Sequence, residues 1–307
     1  MSSSAYLPGV FIQWSFLNVT LTNYYLIFRI ECSIFHALMR PNISFRIKET
    51  SMKGTSLFDL SEKVSIVTGG GRGLGRIMAL ALADVGANVI IADIIINQAE
   101  YVAKEIINKN IRSLAIKVDV TKPKEVQKMV SQVMKHFGRI DILINNAGIN
   151  IIAPAENFAV KDWEKVLNIN LKGVFLCSQV VGKVMMKQKK GKIINIASIH
   201  GLVGSIHHAV AYNSSKAGVI NLTRALAVEW GKYNINVNAI APGIIKTDLT
   251  KKRLENKEYY NYWIDRTPLK RIGKPEDLIG AVIYLSSEAS NWLTGQTIVI
   301  DGGYTAL

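Results

Sequence analysis

Short apolar runs rich in β-branched residues alternate with longer stretches of helical periodicity from residue 63 to the end of the chain. Most of the apolar runs lack polar alternation, which is typical of parallel strands whose two faces are both covered by helices. We therefore predict an α/β fold with a single doubly wound, parallel, seven-stranded sheet and helices on both faces. The predicted strands are 64–68, 89–93, 113–118, 142–145, 192–197, 235–240 and 297–300.

The first 51 residues differ from the rest of the chain. Residues 10–28 carry no charge and are rich in aromatic side chains, but polar residues such as Gln13 and Asn18 interrupt the run, and no basic segment or small-residue cleavage site accompanies it. A start at Met52 leaves the length of one α/β domain. We expect residues 1–51 to be a non-structural leader or an over-extended start, and residues 52–307 to form one domain. A membrane anchor or targeting segment and a structured addition are the alternatives.

Charge and cysteine content narrow the class of protein. The formal net charge is +14, but the lysines are mostly dispersed along helical stretches, and the dense group in 187–192 flanks a turn at Gly191. This distribution is typical of a solvated surface, so we expect no nucleic-acid partner, and a membrane partner only if residues 10–28 insert. The two cysteines, Cys32 and Cys177, provide no disulfide framework and no zinc-binding spacing. No metal is therefore expected, and a cytoplasmic location fits reduced thiols.

A glycine-rich turn at 68–75, with the sequence TGGGRGLG, joins the first predicted strand to a helical stretch at 76–85. Glycines allow positive φ and a close backbone approach, and a helix N-terminus offers free N–H groups to a pyrophosphate. The spacing differs from the general G-x-G-x-x-G fingerprint, and glycines in such a turn can also serve packing alone. We interpret the turn as a dinucleotide site in a Rossmann-type sheet. Its candidate residues are Gly69, Arg72, Gly73, Leu74 and Gly75.

Polar residues stand at the ends of the next predicted strands. Asp93 ends the second strand, where a carboxylate can accept hydrogen bonds from the ribose hydroxyls of NAD and would repel the 2′-phosphate of NADP. Asp93 therefore favours NAD, although Arg72 offers a compensating cation and Asp93 could instead cap a helix. Ligands of open α/β sheets bind beyond the carboxyl ends of the strands. Each group could instead be an ordinary polar turn, but all of them fall at such strand ends. We therefore add to the cofactor site the residues Asp119, Val120, Asn146, Ala147 and Gly148.

Tyr212 and Lys216 are four residues apart in a helical stretch at 210–230, so their side chains share one face. A free tyrosine has a pKa of about 10, and a neighbouring ammonium group stabilises the phenolate and lowers that pKa. Such a pair can act as an acid and a base near neutral pH. By itself, a tyrosine and a lysine at this spacing are a coincidence in most proteins.

Five motifs, taken together and in order, resemble those of the short-chain dehydrogenase/reductase family over about residues 57–307. The resemblance implies a Rossmann-type enzyme that transfers hydride between NAD or NADP and a secondary alcohol or ketone. It also implies a homotetramer. The motifs are Thr68-Gly69-x-x-x-Gly73-x-Gly75, Asn145-Asn146-Ala147-Gly148, Ser198, Tyr212-x-x-x-Lys216 and Pro242-Gly243.

The same resemblance assigns the catalytic roles to Asn170, Ser198, Tyr212 and Lys216. It implies that Tyr212 exchanges the proton of the substrate hydroxyl, while Lys216 lowers the pKa of Tyr212 and holds the nicotinamide ribose. It implies that Ser198 binds the substrate oxygen and that Asn170 orders a water through which the proton leaves. The resemblance also places Thr247 at the nicotinamide carboxamide. It adds five residues to the cofactor site: Tyr212, Lys216, Pro242, Gly243 and Thr247.

The small-molecule substrate is expected to contact the loop between Ser198 and Tyr212 and the segment 244–268, which flank the predicted reaction centre. An acidic ligand would fit the histidines of the loop and the cations of the segment. Neutral, exposed histidines and a flexible lid with a solvated basic face are the alternatives. The residues concerned are His200, His207, His208, Lys251, Lys252, Arg253, Tyr259, Tyr260, Tyr262, Trp263 and Arg266.

Within the family, residues 57–60, 211–216 and 222–231 are most similar to gluconate 5-dehydrogenases and related sugar-acid or polyol enzymes. A 3-oxoacyl-carrier-protein reductase is the alternative, in which the basic surface would dock an acidic carrier protein. Asp93 counts against this alternative. The carrier-protein reductase activity resembles a reaction that uses NADPH, and Asp93 would repel the 2′-phosphate of that cofactor. A Rossmann protein that senses its cofactor without turnover is the non-enzymatic alternative.

Overall fold

The structure is a computed structural model that describes residues 54–307 and two short strands near the start of the chain, Tyr6–Leu7 and Val10–Phe11. These two strands pair antiparallel, with Tyr6 opposite Phe11. The predictions of a leader at residues 1–51, and of a membrane-inserted run at 10–28 as its alternative, otherwise lie outside the described residues.

Seven parallel strands form one sheet, which confirms the predicted fold class. Three predicted strands have the observed bounds, three others differ by one or two residues at one end, and the fifth is shifted by one residue at both ends. The largest difference is at the sixth strand, which continues to Pro242. The strands are β1 (Val64–Thr68), β2 (Asn88–Asp93), β3 (Ser113–Lys117), β4 (Ile142–Asn145), β5 (Gly191–Ile196), β6 (Ile235–Pro242) and β7 (Thr297–Ile300).

The order of the strands across the sheet is β3-β2-β1-β4-β5-β6-β7. The chain therefore moves outward from β1 through β2 and β3 and then returns to the other side of β1 with β4. Connections on the two sides of this point leave the sheet in opposite directions. They open a crevice beyond the carboxyl ends of β1 and β4, which is where open α/β sheets bind ligands.

Nine α-helices connect or flank these strands in the part of the chain from 54 to 307. A π-helical turn at Asn168–Lys172 joins the fourth helix to the fifth without a break. The helices are α1 (Gly73–Asp84), α2 (Ile96–Ile107), α3 (Pro123–Phe137), α4 (Val160–Leu167), α5 (Gly173–Gln188), α6 (Val210–Trp230), α7 (Asp248–Leu254), α8 (Lys257–Arg266) and α9 (Ile279–Ser286).

The sheet has an apolar core on each face. Helices α1, α2 and α9 pack on one face, and α3, α5 and α6 contribute to the core on the other. Neighbouring residues of one strand belong to different cores: Ile66 and Val67 of β1 are both fully buried, one in each cluster. This two-sided burial is the reason why the strands read as continuous apolar runs.

One helical stretch among the described residues, Val160–Gln188, is long and apolar enough by composition to cross a membrane. Its α5 part contributes Cys177, Val181 and Met185 to the second core, and all three are buried there against the sheet. The apolar character of this stretch is thus accounted for by its place as a core helix of the α/β domain.

Asp141 links two strands at the amino edge of the sheet, opposite the crevice. Its carboxylate accepts a hydrogen bond from the backbone N–H of Val64 at 2.9 Å, and the Arg139 guanidinium binds both of its oxygens at 2.6 and 2.8 Å. Its backbone N–H and C=O pair with Val64 and Lys192, at the starts of β1 and β5. Asp141 therefore holds the amino ends of three adjacent strands in register.

We expect Asp141→Ala to lower the free energy of unfolding by about 1–3 kcal/mol, because it leaves the buried N–H of Val64 without an acceptor. Arg139→Gln is the matched control: the Arg139 side chain is 48% exposed, so losing its ion pair should cost less than about 1 kcal/mol. Urea denaturation of the two variants measures both values. Equal losses would show that the ion pair, and not the buried acceptor, carries the effect.

Candidate active site

The glycine turn after β1 is packed against the protein on one side and open on the other. Gly69 and Gly73 adopt positive φ values of 61° and 54°. A Cβ at Gly69 would lie 2.9 Å from Cα of Ala147, and one at Gly75 would collide with the carbonyl oxygen of Gly69, whereas one at Gly73 would meet nothing within 4 Å. No side chain caps the start of α1, where Arg72 is the N-cap. The open turn and uncapped helix N-terminus fit the pyrophosphate of a dinucleotide.

Thr68 and Asn146 join this turn to the end of β4. The Thr68 hydroxyl accepts hydrogen bonds from the backbone N–H groups of Asn146 and Ala147, at 3.1 and 3.2 Å. In return, the Asn146 side-chain amide donates to the carbonyl oxygens of Thr68 and Gly69, both at 3.0 Å. These bonds place the run 146–148 at the edge of the crevice, beside the glycine turn.

Asp93 lies at the end of β2 and is 8% exposed. One carboxylate oxygen accepts from the backbone N–H of Gly71 at 2.9 Å, and the other accepts from that of Ile95 at 3.0 Å. The residue thus shapes the glycine turn and the entry to α2, but it is not the N-cap of α2, which is Ile95. Its remaining lone pairs are available to a ribose at this edge.

Asp119 and Val120 follow β3, on the same edge of the sheet. The Asp119 side chain accepts hydrogen bonds from the backbone N–H and the hydroxyl of Thr121, at 2.9 and 2.7 Å. Val120 is buried, and a Cβ at Gly173 would lie 2.8 Å from its side chain. The two residues therefore lie at the carboxyl end of β3, and no described hydrogen bond joins them to the residues of α6.

Lys216 is 4% exposed and reaches from α6 to the end of β5. Its ammonium donates to the backbone carbonyl of Ile196 at 2.6 Å, and it lies 5.6 Å from the centroid of the Tyr212 ring. Burial lowers the pKa of Lys216 to about 8. The helix therefore brings the predicted Tyr–Lys pair together, next to Gly148, where a Cβ would lie 3.7 Å from the lysine nitrogen.

Ser198 lies just beyond β5 and forms a hydrogen bond with the Tyr212 phenol, which lowers the pKa of the phenol. The larger effect is burial, which raises the pKa of Tyr212 from its ordinary value. This direction differs from the expectation that Lys216 lowers it. The physical reason is that the phenolate would be desolvated among protein atoms, while the ammonium bonds to the Ile196 carbonyl. In this state the phenol holds its proton at neutral pH.

Asn170 lies in the π-helical turn and is fully buried. Its amide exchanges two hydrogen bonds with the backbone of Ile149, both at 2.9 Å, and also donates to the Ser215 hydroxyl at 3.1 Å. Ser215 in turn donates to the carbonyl oxygen of Tyr212 at 2.7 Å. Asn170 thus connects the end of β4 to the turn of α6 that carries Tyr212 and Lys216. The place of Ser215 in this chain of bonds was missed from the sequence, because only the packing of α6 reveals it.

Residues after β6 close the other side of the crevice. A Cβ at Gly243 would lie 2.8 Å from the Cα of Asp301, so this position accepts only glycine without a shift. Thr247 is the N-cap of α7 and forms a capping box with Thr250. Pro242 ends β6. Pro242, Gly243 and Thr247, all predicted to bind the cofactor, thus lie at the carboxyl edge of the sheet, where Tyr212 also lies.

A cluster of rings covers the crevice beside Tyr212. The His200 ring meets the Tyr212 ring edge-on at 6.2 Å and lies 5.8 Å from Trp263. Trp263 is 1% exposed and also contacts Tyr304, at 5.0 Å between centroids. The sequence placed Trp263 in the segment 244–268, expected to contact the substrate with a flexible lid as the alternative. It did not single out Tyr304, whose position near the last residue carries no motif. In the structure Trp263 is the centre of the ring cluster.

The comparisons with known proteins agree with this architecture. A family model described as Enoyl-(Acyl carrier protein) reductase matches residues 69–305. A gluconate 5-dehydrogenase from Burkholderia cenocepacia, solved in complex with NADP and tartrate, is 33% identical with a TM-score of 0.79, over 82% of this chain and 98% of that one.

Three relatives show the range of activities among similar proteins. An NAD-dependent glycerol dehydrogenase of Listeria innocua is 39% identical over 81% of this chain and 96% of its own length. A 2-dehydro-3-deoxy-D-gluconate 5-dehydrogenase of Escherichia coli is 40% identical over 82% and 98%. A 3-oxoacyl-[acyl-carrier-protein] reductase of Synechocystis is 39% identical over 80% and 97%. Because these matches span nearly the whole of each relative, and the family model covers most of this chain, the chain belongs to the short-chain dehydrogenase/reductase family and is an oxidoreductase that acts on alcohol or ketone groups with NAD or NADP.

Proposed function

We propose that this enzyme interconverts a secondary alcohol and a ketone on a sugar acid, of the type of the 5-position of gluconate. The observation that carries the proposal is the Tyr212 phenol, hydrogen-bonded to Ser198 and flanked by Lys216, at the carboxyl edge of the sheet. The Escherichia coli and Burkholderia cenocepacia relatives, which are named for gluconate-type substrates, support the sugar acid.

In the proposed reaction Tyr212 is the general acid and base. It takes the proton of the substrate hydroxyl during oxidation and returns it to the carbonyl oxygen during reduction. Ser198 donates a hydrogen bond to the same substrate oxygen. A nicotinamide held in the crevice would supply the hydride chemistry, as the acceptor for oxidation and the donor for reduction. Because burial raises the pKa of Tyr212, the residue is protonated in this state and ready to act as the acid.

Lys216 and Asn170 support Tyr212 in this proposal. Lys216 holds the nicotinamide ribose and stabilises the phenolate when the phenol loses its proton. Burial, which lowers its pKa to about 8, also makes it able to pass a proton on near neutral pH. Asn170, which is bonded to Ile149 and Ser215, positions the water through which the proton leaves.

The remaining predicted residues are proposed to hold the cofactor, with NAD preferred. Asp93 supports this preference, because a second negative charge at the 2′-position would lie beside a carboxylate that is 8% exposed. Arg72 is exposed at the N-cap of α1, and it is the cation that would bind the 2′-phosphate if the cofactor were NADP. The proposed set is Gly69, Arg72, Gly73, Leu74, Gly75, Asp93, Asp119, Val120, Asn146, Ala147, Gly148, Tyr212, Lys216, Pro242, Gly243 and Thr247.

We also propose that the enzyme is a homotetramer in the cytoplasm. Large apolar side chains that are exposed on the single chain support assembly: Val228 on α6 is 85% exposed, and Trp292 is 99% exposed. Light scattering coupled to size exclusion measures the assembly, and a monomer at micromolar concentration would contradict it.

A 3-oxoacyl-carrier-protein reductase is the second candidate, supported by the Synechocystis relative and by the net charge of +14. We expect D-gluconate with NAD or NADP to be turned over with a higher kcat/KM than an acetoacetyl thioester with NADPH. Steady-state kinetics with both pairs measures this. Preference for the thioester would replace the sugar-acid proposal with the second candidate.

We expect Tyr212→Phe to lower kcat by about 10²–10⁴, because it removes the proton donor and acceptor while keeping the ring. Tyr101→Phe is the matched control, since Tyr101 lies on α2 and is 63% exposed. Initial rates at saturating cofactor measure both variants. Near-normal turnover by Tyr212→Phe would exclude Tyr212 as the acid and base.

We expect Asp93→Asn to raise the ratio of kcat/KM with NADP to that with NAD on the order of tenfold, because it removes the charge that repels the 2′-phosphate. The amide oxygen can still accept from the backbone N–H of Gly71, so the glycine turn should persist, while the bond from the N–H of Ile95 at the entry to α2 is lost. Asp84→Asn, on the exposed end of α1, is the control. An unchanged ratio in Asp93→Asn would refute the NAD preference.

A further inference from the structure

We propose that Arg253 selects an acidic substrate by binding a carboxylate at the end of the molecule remote from the reacting carbon. The inference rests on the proposed function, since it names the group that a sugar acid presents to the same crevice. It goes beyond that function by assigning the selection to one side chain and by excluding the nearby histidines as the anion site.

A cavity of about 470 Å³ opens between the loop that carries His207 and the helices α7 and α8. Arg253, Asn256, Glu258 and Tyr259 contribute to its walls. Its volume is within the range of small-molecule sites, which is about 300–1,000 Å³. The cavity is therefore large enough for a six-carbon acid.

Arg253 is half-buried in this wall, and its guanidinium is held in place. The guanidinium carbon lies 4.4 Å from the centroid of the Tyr259 ring, so the planar fork stacks on an aromatic face. In the described part of the chain, Arg76, Arg139 and Arg271 bind carboxylates, whereas no carboxylate oxygen lies within 4.0 Å of Arg253. Its fork of donors is therefore available for a bidentate bond to a carboxylate.

A continuous series of ring contacts leads from Arg253 to the reaction centre. Tyr259 lies 4.7 Å from His207, and His207 lies 5.5 Å from Trp263. Trp263 contacts His200, which meets the Tyr212 ring. Lys216 is the cation that lies over the Tyr212 ring, whereas Arg253 lies over the Tyr259 ring. Arg253 is therefore at the opposite end of this series from Tyr212, which suits an acid whose carboxylate is not on the carbon next to the carbinol.

His200 and His207, whose rings both contact Trp263, are neutral at physiological pH. Burial, together with the neighbouring His207 and Arg253, lowers the pKa of His200 to about 4. Burial and Arg253 also lower the pKa of His207. Among the described residues, the Nε2 of His207 and the Nε1 of Trp263 are buried without a hydrogen-bond partner. Both nitrogens are enclosed by protein and the histidines carry no charge, which leaves the carboxylate to the arginine.

Two other charged residues are close to this site. Glu258 contributes to the cavity wall but is exposed, so water screens its charge. Arg266 stacks on the Tyr262 ring at 4.1 Å and is not part of the wall. Arg253 is therefore the cation that lines the cavity in residues 54–307.

The test compares D-gluconate with D-glucitol, in which a hydroxymethyl group replaces the carboxylate. We expect Arg253→Gln to lower kcat/KM for D-gluconate about 10- to 100-fold, mainly through KM, and to leave kcat/KM for D-glucitol within about threefold. Lys252→Gln is the matched control, because it removes the same charge from the exposed neighbouring residue outside the cavity wall. It should leave both substrates nearly unaffected.

Titration calorimetry of the same two ligands on the Tyr212→Phe background, with and without Arg253→Gln, is a second readout that needs no turnover. Equal losses for both ligands, or an equal loss of D-gluconate affinity in Lys252→Gln, would overturn the role of Arg253 while leaving the sugar-acid function in place. If the unaltered enzyme turns over D-glucitol or a thioester but no sugar acid, the proposed function itself fails. A selective loss of D-gluconate binding in Arg253→Gln alone supports the inference.

Discussion

The bonds between Thr68 and Asn146 at the carboxyl ends of β1 and β4 are the interaction on which the site depends. They extend the pairing of two neighbouring strands, whose connections leave in opposite directions, beyond the last residues of the backbone ladder and so fix the floor of the crevice. The same bonds hold the glycine turn against the run 146–148. The cofactor edge and the reaction centre therefore have one common support.

The reaction centre depends on the register between α6 and two strand ends. Lys216 donates a hydrogen bond to the carbonyl of Ile196, the last residue of β5. Asn170 forms hydrogen bonds with the backbone of Ile149, which follows β4, and with Ser215 on α6. Each of these polar groups is buried, and a buried polar group without a partner costs free energy. The network can therefore tolerate little displacement of the helix. Its burial also produces the two pKa changes at the site: that of Tyr212 is raised and that of Lys216 is lowered.

The substrate side is organised differently from the cofactor side. Here ring contacts join the parts, with Trp263 in contact with residues from the loop, from α8 and from the last residues of the chain. Ring packing makes a firm apolar wall and keeps His200 neutral beside the phenol. Charge enters this region at its outer end, where Arg253 stacks on Tyr259.

The sequence by itself determined the order of the elements, the fold class, and the candidate residues of the crevice. Two-sided burial produces continuous apolar runs, and a glycine turn or a Tyr–Lys pair depends only on nearby residues, so local patterns were sufficient. Only the tertiary structure decided the direction of the pKa change at Tyr212, the bond from Asn170 to Ser215, and the meeting of Trp263 with Tyr304. Desolvation and contacts between distant segments depend on what packs around a residue, and spacing along the chain does not contain that information.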